Sequence, residues 1–287
     1  MKPDNIKKVG IVGAGTMGQG IAISCALAGY QTLMYDLDSS FCDKAISLIQ
    51  KSLTKSVEKG KLSQEDSEVA FSRIVKANKL QDLQVDLVIE AIVESLQIKQ
   101  NLFIELEQIN SANAILASNT SSISITQIAS VLQNPANCIG LHFFNPANVM
   151  KLVEVISGLK TSPELVQLMK DFAKSLGKVS VEVKDSPGFI VNRVARHFYV
   201  EALKVLQDEV ADHETIDLLM RSAGFKMGPF GLMDLIGIDV NYAVTKSVHE
   251  GFSKAHRFLP SKIQYEKIEV GQLGRKTGKG FYDYEKL

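Results

Sequence analysis

A six-residue glycine pattern near the start constrains this chain more than any other feature. Gly13-Ala14-Gly15-Thr16-Met17-Gly18 follows the spacing G-x-G-x-x-G. The spacing alone is common, and its setting carries the weight. Lys8-Val9-Gly10-Ile11-Val12 reads as a buried strand, Gly15 to Gly29 as a helix, and Thr32-Leu33-Met34-Tyr35-Asp36 as a second strand. Gly13 would allow the tight turn, Gly15 would let backbone N–H groups approach a pyrophosphate, and Gly18 would let the helix pack close to the sheet. The start of the helix then offers partial positive charge to the phosphates, with Thr16 and Met17 at its first positions. Asp36 lies 18 residues past Gly18, near the ~20 expected for a carboxylate that accepts ribose hydroxyls. It would repel a 2′-phosphate, Asp38 adds to the repulsion, and no arginine follows directly. The unit is therefore expected to bind NAD rather than NADP. A glycine-rich turn in some other α/β protein is the plain alternative.

The alternation continues. A Lys-rich helix is expected from Ser39 to about Gly60, with a helical continuation from Ser63 to Phe71. The run Leu87–Ala91 precedes a helix from about Ser95 to Asn110, and further strands are expected at Ile115–Ser118, Cys138–Phe143 and Lys151–Ile156. This pattern predicts an α/β fold with a mostly parallel sheet. The texture changes at Asp185-Ser186-Pro187-Gly188, where Pro and Gly punctuate the chain. Beyond it, helices are expected over Phe189–Asp208, Asp212–Ala223 and Leu232–His249. The expected organisation is an α/β domain over 1–185 and an all-α domain over 186–287.

Charge and cysteine content remove whole classes of function. The chain carries 32 basic and 32 acidic residues, a formal net charge of zero. No protein-wide positive field exists to hold nucleic acid or an anionic membrane, so an anionic ligand must be gripped locally. Cys25, Cys42 and Cys138 are too few and too scattered for a disulfide framework or a zinc site. They read as apolar fillers in a reducing compartment. Met1-Lys2-Pro3-Asp4-Asn5 leads into an apolar run too short for a signal segment, and no stretch approaches the ~20 apolar residues of a membrane span. A cytoplasmic protein without metal, membrane or nucleic-acid partners is expected.

A second constellation sits further along. Of the five histidines, His142 lies in an apolar run that leads to Asn145-Pro146. Glu154 interrupts Leu152-Val153-Glu154-Val155-Ile156. Both faces of that strand are apolar, so Glu154 is expected to be buried, and a buried carboxylate needs a partner. His142 is the obvious one, since the intervening turn can bring the two strands together. A carboxylate on one ring nitrogen fixes the tautomer and makes the other nitrogen a base. Beside NAD, such a pair suits the oxidation of an alcohol. A core histidine with a structural glutamate remains open from these residues alone. Ser118-Asn119-Thr120-Ser121-Ser122 follows a strand, where open α/β sheets place ligand groups, although helix capping explains one of its hydroxyls. Asn192 opens the first helix of the second domain, where an ordinary helix residue is equally allowed. Lys44, Lys51, Lys55, Lys59 and Lys61 concentrate positive charge, with Lys51, Lys55 and Lys59 spaced i, i+4. A solvated basic face balanced by Glu58 and Glu65 is the commoner meaning of such a run.

Taken together, these residues resemble the L-3-hydroxyacyl-CoA dehydrogenase family, in particular its compact bacterial 3-hydroxybutyryl-CoA branch. The resemblance rests on Leu141–Pro146, Met150–Ile156, Ser118–Ser122, Asp185–Arg193, Met227-Gly228-Pro229-Phe230, Asp234–Gly237 and Leu273–Tyr282, in family order over essentially the whole chain. It implies a Rossmann-type N-terminal domain, a helical C-terminal domain that makes a homodimer, and a substrate held where the two meet. It also implies His142 as the base, Glu154 as its partner, and Ser121 and Asn192 on the substrate. By the same resemblance Glu94, Lys99, Ser121, Asn145 and Lys276 contact NAD, and Ser52, Lys59 and Ser121 contact the acyl-CoA. Phe198, Ala202 and Val205 could serve the dimer or the core. The segment Phe258–Tyr265 departs from the Pro-rich stretch usual in the family, which leaves acyl-chain or partner contacts there open. Relatives that oxidise free sugar acids such as gulonate, and NAD-binding structural proteins of the lens, remain the alternatives.

Overall fold

Strands buried on both faces read as near-continuous apolar runs, and the central strands of this protein do so, interrupted at Glu90, Ser118, His142 and Glu154. The computed structural model describes residues 5–284. Residues 1–4, on which part of the leader argument falls, lie outside the described residues. The elements of the first unit are β1 (Lys8–Val12), α1 (Thr16–Leu27), β2 (Gln31–Tyr35), α2 (Ser39–Glu58), α3 (Gln64–Ser72), β3 (Ile74–Lys76), β4 (Leu87–Glu90), α4 (Leu96–Ile109), β5 (Ile115–Ser118), α5 (Ile125–Ala129), β6 (Cys138–Phe143), β7 (Leu152–Ser157), α6 (Pro163–Ser175) and β8 (Val179–Lys184). They build one eight-stranded sheet in the order β3-β2-β1-β4-β5-β6-β7-β8. Every neighbouring pair is parallel except β6–β7. All of β4, β5 and β6 is buried.

The two strands without a counterpart in the sequence expectations, β3 and β8, are the edges of this sheet. An edge strand is not covered on all sides and carries no continuous apolar run. In β8 most positions are exposed, Glu182 and Lys184 among them, and charges at an edge discourage pairing with another chain. Helix α6 was also unanticipated, although Ser162 caps it by accepting from the Leu165 N–H and Pro163 stands in its first turn. Its apolar stripe, including Leu165, Met169 and Phe172, joins the core under the sheet.

The chain divides into two compact units, 1–186 and 187–287. The second contains α7 (Val191–Gln207), α8 (His213–Ser222), α9 (Pro229–Ile236), α10 (Ile238–Gly251) and α11 (Lys262–Glu269). The single helix expected over Leu232–His249 is in fact two. Gly237 breaks it with φ +103, a conformation that strains any residue with a Cβ. Phe198, Ala202 and Val205 of α7 belong to the core of this unit: Ala202 is buried in its apolar cluster, and the other two pack against it.

Buried aspartates explain two motifs of this unit. Asp217 accepts from the Phe230 and Gly231 N–H groups and the Tyr282 hydroxyl. Asp234 accepts from the Phe281 and Tyr282 N–H groups and the Tyr284 hydroxyl. A side chain on Gly228 would run into Asp217, and one on Gly280 into Asp234. Among the described residues, no helix is long and apolar enough to cross a membrane.

Candidate active site

The glycine turn is built as its spacing requires. Gly13 has φ +106 and donates its N–H to the Tyr35 carbonyl at 2.8 Å, and a Cβ there would lie 2.5 Å from the Ala91 carbonyl oxygen. A Cβ on Gly18 would collide with the Gly13 carbonyl. At Gly15 no atom lies within 4 Å of where a Cβ would stand, so the space beside it is open to a ligand. Helix α1 starts at Thr16 with no side-chain cap and no acidic residue in its first turn. Its leading N–H groups therefore face outward without a protein anion, as a phosphate site requires. Thr16 is exposed, while Met17 packs against the core.

Asp36, just past β2, accepts from the Ala14 N–H at 2.8 Å and from the Asp38 N–H at 3.3 Å. A carboxylate offers about four lone-pair sites, so acceptors remain for ribose hydroxyls. Beside Gly13, Gly15 and Asp36 opens a cavity of about 640 Å³ walled by Leu37, Phe41, Val93, Ile98 and Leu102. Leu37, on the rim of this cavity, is 92% exposed, and a concave, mostly apolar lining of this kind is typical of small-molecule sites. Sequence reasoning missed these walls, although a leucine set between Asp36 and Asp38 was a usable signal.

Where β4 and β5 end, a charged ring forms. Glu90 is fully buried and accepts from Lys99 Nζ at 2.5 Å, the Ile92 N–H at 2.8 Å and Ser118 Oγ at 2.6 Å. Lys99 also reaches Glu94 at 3.3 Å. Glu94 Oε1 accepts from Thr120 Oγ1 at 2.7 Å, from the Ser121 N–H at 2.9 Å and Oγ at 3.1 Å, and from the Ser122 N–H at 3.2 Å. Burial alone would raise the pKa of Glu94. Lys99, the Thr120 hydroxyl and the Ser121 N–H outweigh it and hold the carboxyl below its ordinary value. Of the expected NAD contacts, Glu94 and Ser121 thus stand together at the loop after β5. Lys99 is 1% exposed and is committed to the two glutamates.

The pairing of His142 with Glu154 follows from the one antiparallel step in the sheet. The two stand directly opposite in the β6–β7 register, with Nδ1 2.7 Å from the Glu154 carboxylate. Relative exposures are 6% and 1%. Their surroundings are held from two sides. Asn119 Oδ1 accepts the Phe143 N–H at 2.8 Å, tying the end of β6 to the serine-rich loop. Lys178, also buried, donates to the Ala147 and Met150 carbonyls at 2.6 and 2.8 Å and so fastens the turn that follows. Asn145, at the start of that turn, is exposed.

The remaining expected residues are more scattered. Ser52 is half-buried on α2, and its carbonyl accepts from Ser56 Oγ at 2.9 Å. Lys59 is exposed just past the last turn of α2. Lys51 and Lys55 lie along one groove of that helix with Ser47 and Thr54. In the helical unit Asn192 sits in the first turn of α7, where its carbonyl accepts from Arg196 Nε at 3.2 Å. Lys276 pairs with both carboxylate oxygens of Asp239, at 2.6 and 2.7 Å.

The chain is similar to known proteins over nearly its whole length. Residues 8–186 match the family described as 3-hydroxyacyl-CoA dehydrogenase, NAD binding domain, and residues 188–284 match the 3-hydroxyacyl-CoA dehydrogenase C-terminal domain. The chain is 47% identical to a 3-hydroxyadipyl-CoA dehydrogenase of Escherichia coli over 98% of its own length and 59% of that protein's. It is 41% identical to a 3-hydroxybutyryl-CoA dehydrogenase of Clostridioides difficile over 97% of its length and 100% of that protein's. The crystal structure of (S)-3-hydroxybutyryl-CoA dehydrogenase from Ralstonia eutropha superposes with a TM-score of 0.93 at 40% identity, covering 97% of this chain and 99% of that one. The chain belongs to the 3-hydroxyacyl-CoA dehydrogenase family.

Proposed function

We propose that the protein interconverts a 3-hydroxyacyl-CoA and the 3-ketoacyl-CoA with NAD, on short acyl chains such as 3-hydroxybutanoyl-CoA. The observation that carries the reading is the buried His142–Glu154 pair, in the same unit as the glycine cradle. Bound NAD supplies the hydride acceptor. With the carboxylate at Nδ1, that nitrogen carries the ring proton and donates it to Glu154. The lone pair then resides on Nε2, which takes the proton of the substrate's 3-hydroxyl. Glu154 holds the ring in this tautomer and balances the imidazolium that forms, as the carboxylate does in serine-hydrolase triads. Ser121 and Asn192 hold the reacting oxygen or thioester. In the reverse direction the protonated ring returns its proton to the carbonyl oxygen.

The cradle residues fit the cofactor by their shape. The open space at Gly15, the uncapped start of α1 and the acceptor Asp36 suit a pyrophosphate and an unphosphorylated ribose. Asn145 and Lys276 complete the proposed cofactor contacts. Ser52 and Lys59 hold the CoA, whose phosphates favour the lysines of α2. A free sugar acid such as gulonate would make no use of them. The reading includes a homodimer through the helical unit, to which Val194, Leu218 and Leu219 offer exposed apolar side chains, and a cytoplasmic location, consistent with three free, buried cysteines. The test is consumption of NADH, then of NADPH, with acetoacetyl-CoA. Absence of turnover with every acyl length would remove the reading.

A further inference from the structure

Buried ion pairs are seldom kept for stability, because apolar residues of the same shape serve as well or better. A buried charge with no surface to serve therefore invites a functional account. Glu90 is such a group. It ends β4, opposite Val12 of β1 on one side and Ser118 of β5 on the other. This is the point where strand order reverses around β1, the position at which open α/β sheets hold their ligands. Its side chain is 0% exposed, so it touches no ligand itself.

Its hydrogen bonds close a ring. One oxygen takes Lys99 Nζ and the Ile92 N–H, and the other takes Ser118 Oγ. From Lys99 the ring continues to Glu94 at 3.3 Å and from Glu94 to Thr120 Oγ1 at 2.7 Å. The Thr120 N–H then donates to Ser118 Oγ at 3.2 Å, which returns to Glu90. Both routes out of Glu90 end on the loop that also presents Ser121. Neutralising Glu90 would leave a fully buried ammonium with Glu94 as its one remaining carboxylate, and would draw the two together at the expense of the bonds from Glu94 to the loop.

We propose that Glu90 is a positioning residue for cofactor binding: through Lys99 and Ser118 it fixes where Glu94 and the 120–122 loop stand. The inference rests on the reading of Glu94 as a cofactor contact, and the test separates the two. NADH is titrated into the full chain and followed by its own fluorescence, without indole emission because the chain contains no Trp. The wild type is compared with Glu90→Gln, Glu94→Gln and the double variant. Each single variant is expected to weaken NADH binding about tenfold, the order of effect of losing one hydrogen bond at a site. The double variant should bind within about twofold of Glu94→Gln, because residues acting through one network do not contribute independently. A carboxylate that merely filled the core would lower the melting temperature without this non-additivity. Wild-type affinity in Glu90→Gln, or losses that multiply, would overturn the inference and leave the role of Glu94 standing. Wild-type affinity in Glu94→Gln would overturn that role and the inference with it. Should Glu90→Gln not fold, Ser118→Ala removes one link of the same ring. It is expected to weaken NADH binding in the wild type and not in Glu94→Gln, and unchanged affinity in both would overturn the inference.

Discussion

His142 and Glu154 face each other across the one antiparallel pair of an otherwise parallel sheet, Nδ1 to carboxylate at 2.7 Å. The geometry follows from topology. In a parallel neighbour the return path needs a long crossover, whereas here a short turn brings the residue twelve positions later directly opposite. Both side chains are buried, so the pair is set by two strands rather than by mobile loops.

The first prediction concerns the carboxylate. Glu154→Gln keeps the shape and can still accept from Nδ1–H, but it cannot balance an imidazolium. Turnover of acetoacetyl-CoA should fall by about 10²-fold or more, within the range that proton transfer contributes. NADH affinity should stay within twofold of wild type. A fully active Glu154→Gln would remove the pairing argument.

Cofactor choice tests Asp36. The wild type should use NADH far better than NADPH, because a 2′-phosphate would meet Asp36 and Asp38. Asp36→Ala removes the ribose acceptor and also the partner of the Ala14 N–H. The ratio of kcat/KM for NADH over NADPH should narrow by at least about tenfold, equivalent to ~1.4 kcal/mol. A wild type that prefers NADPH would contradict the role given to Asp36.

Charge at the end of α2 is tested by salt. Lys59→Glu should raise KM for acetoacetyl-CoA several-fold at low ionic strength with little change in KM for NADH. The difference should shrink at high salt, as the screening length falls from about 10 Å at 0.1 M to about 3 Å at 1 M. An unchanged KM at low salt would take Lys59 out of the CoA site.

Glu94 carries a pH signature. Its carboxyl is held below the ordinary value, against the pull of burial, by Lys99, the Thr120 hydroxyl and the Ser121 N–H. For a group whose folded pKa is depressed, the added stability is fully present above the unfolded value, ~4.3 for a glutamate. It is lost as pH falls through the lower folded value. The melting temperatures of wild type and Glu94→Gln should therefore differ by a constant amount from neutral pH down to that range, and converge below it. A difference that grows on acidification would show the opposite sign.

The parts of the fold legible in the sequence are those where one residue type has one physical use. Gly13 and Gly18 are required by atoms that leave no room for a Cβ, and the G-x-G-x-x-G spacing announces both. Glu154 was legible because a charge inside an apolar strand must find a partner. What escaped was set by tertiary context. The edge strands β3 and β8 lack an apolar run because nothing covers them fully. Gly237 splits a helix whose periodicity reads straight through it, since one φ of +103 leaves no mark on spacing. Glu90 stands in Leu87-Val88-Ile89-Glu90-Ala91 as Glu154 does in its own strand. Its partners Lys99 and Ser118 come from separate elements, and no local pattern announces them. The walls Phe41 and Ile98 lie on different helices and meet only across a cavity.

The central claim is tested most directly at His142. Steady-state reduction of acetoacetyl-CoA by NADH is measured for wild type and His142→Gln, with NADH binding measured in parallel. The account predicts that kcat falls by about 10²–10⁴-fold, the contribution of a positioned acid–base group, while NADH binds as in the wild type. A His142→Gln variant that turns over at the wild-type rate would contradict it.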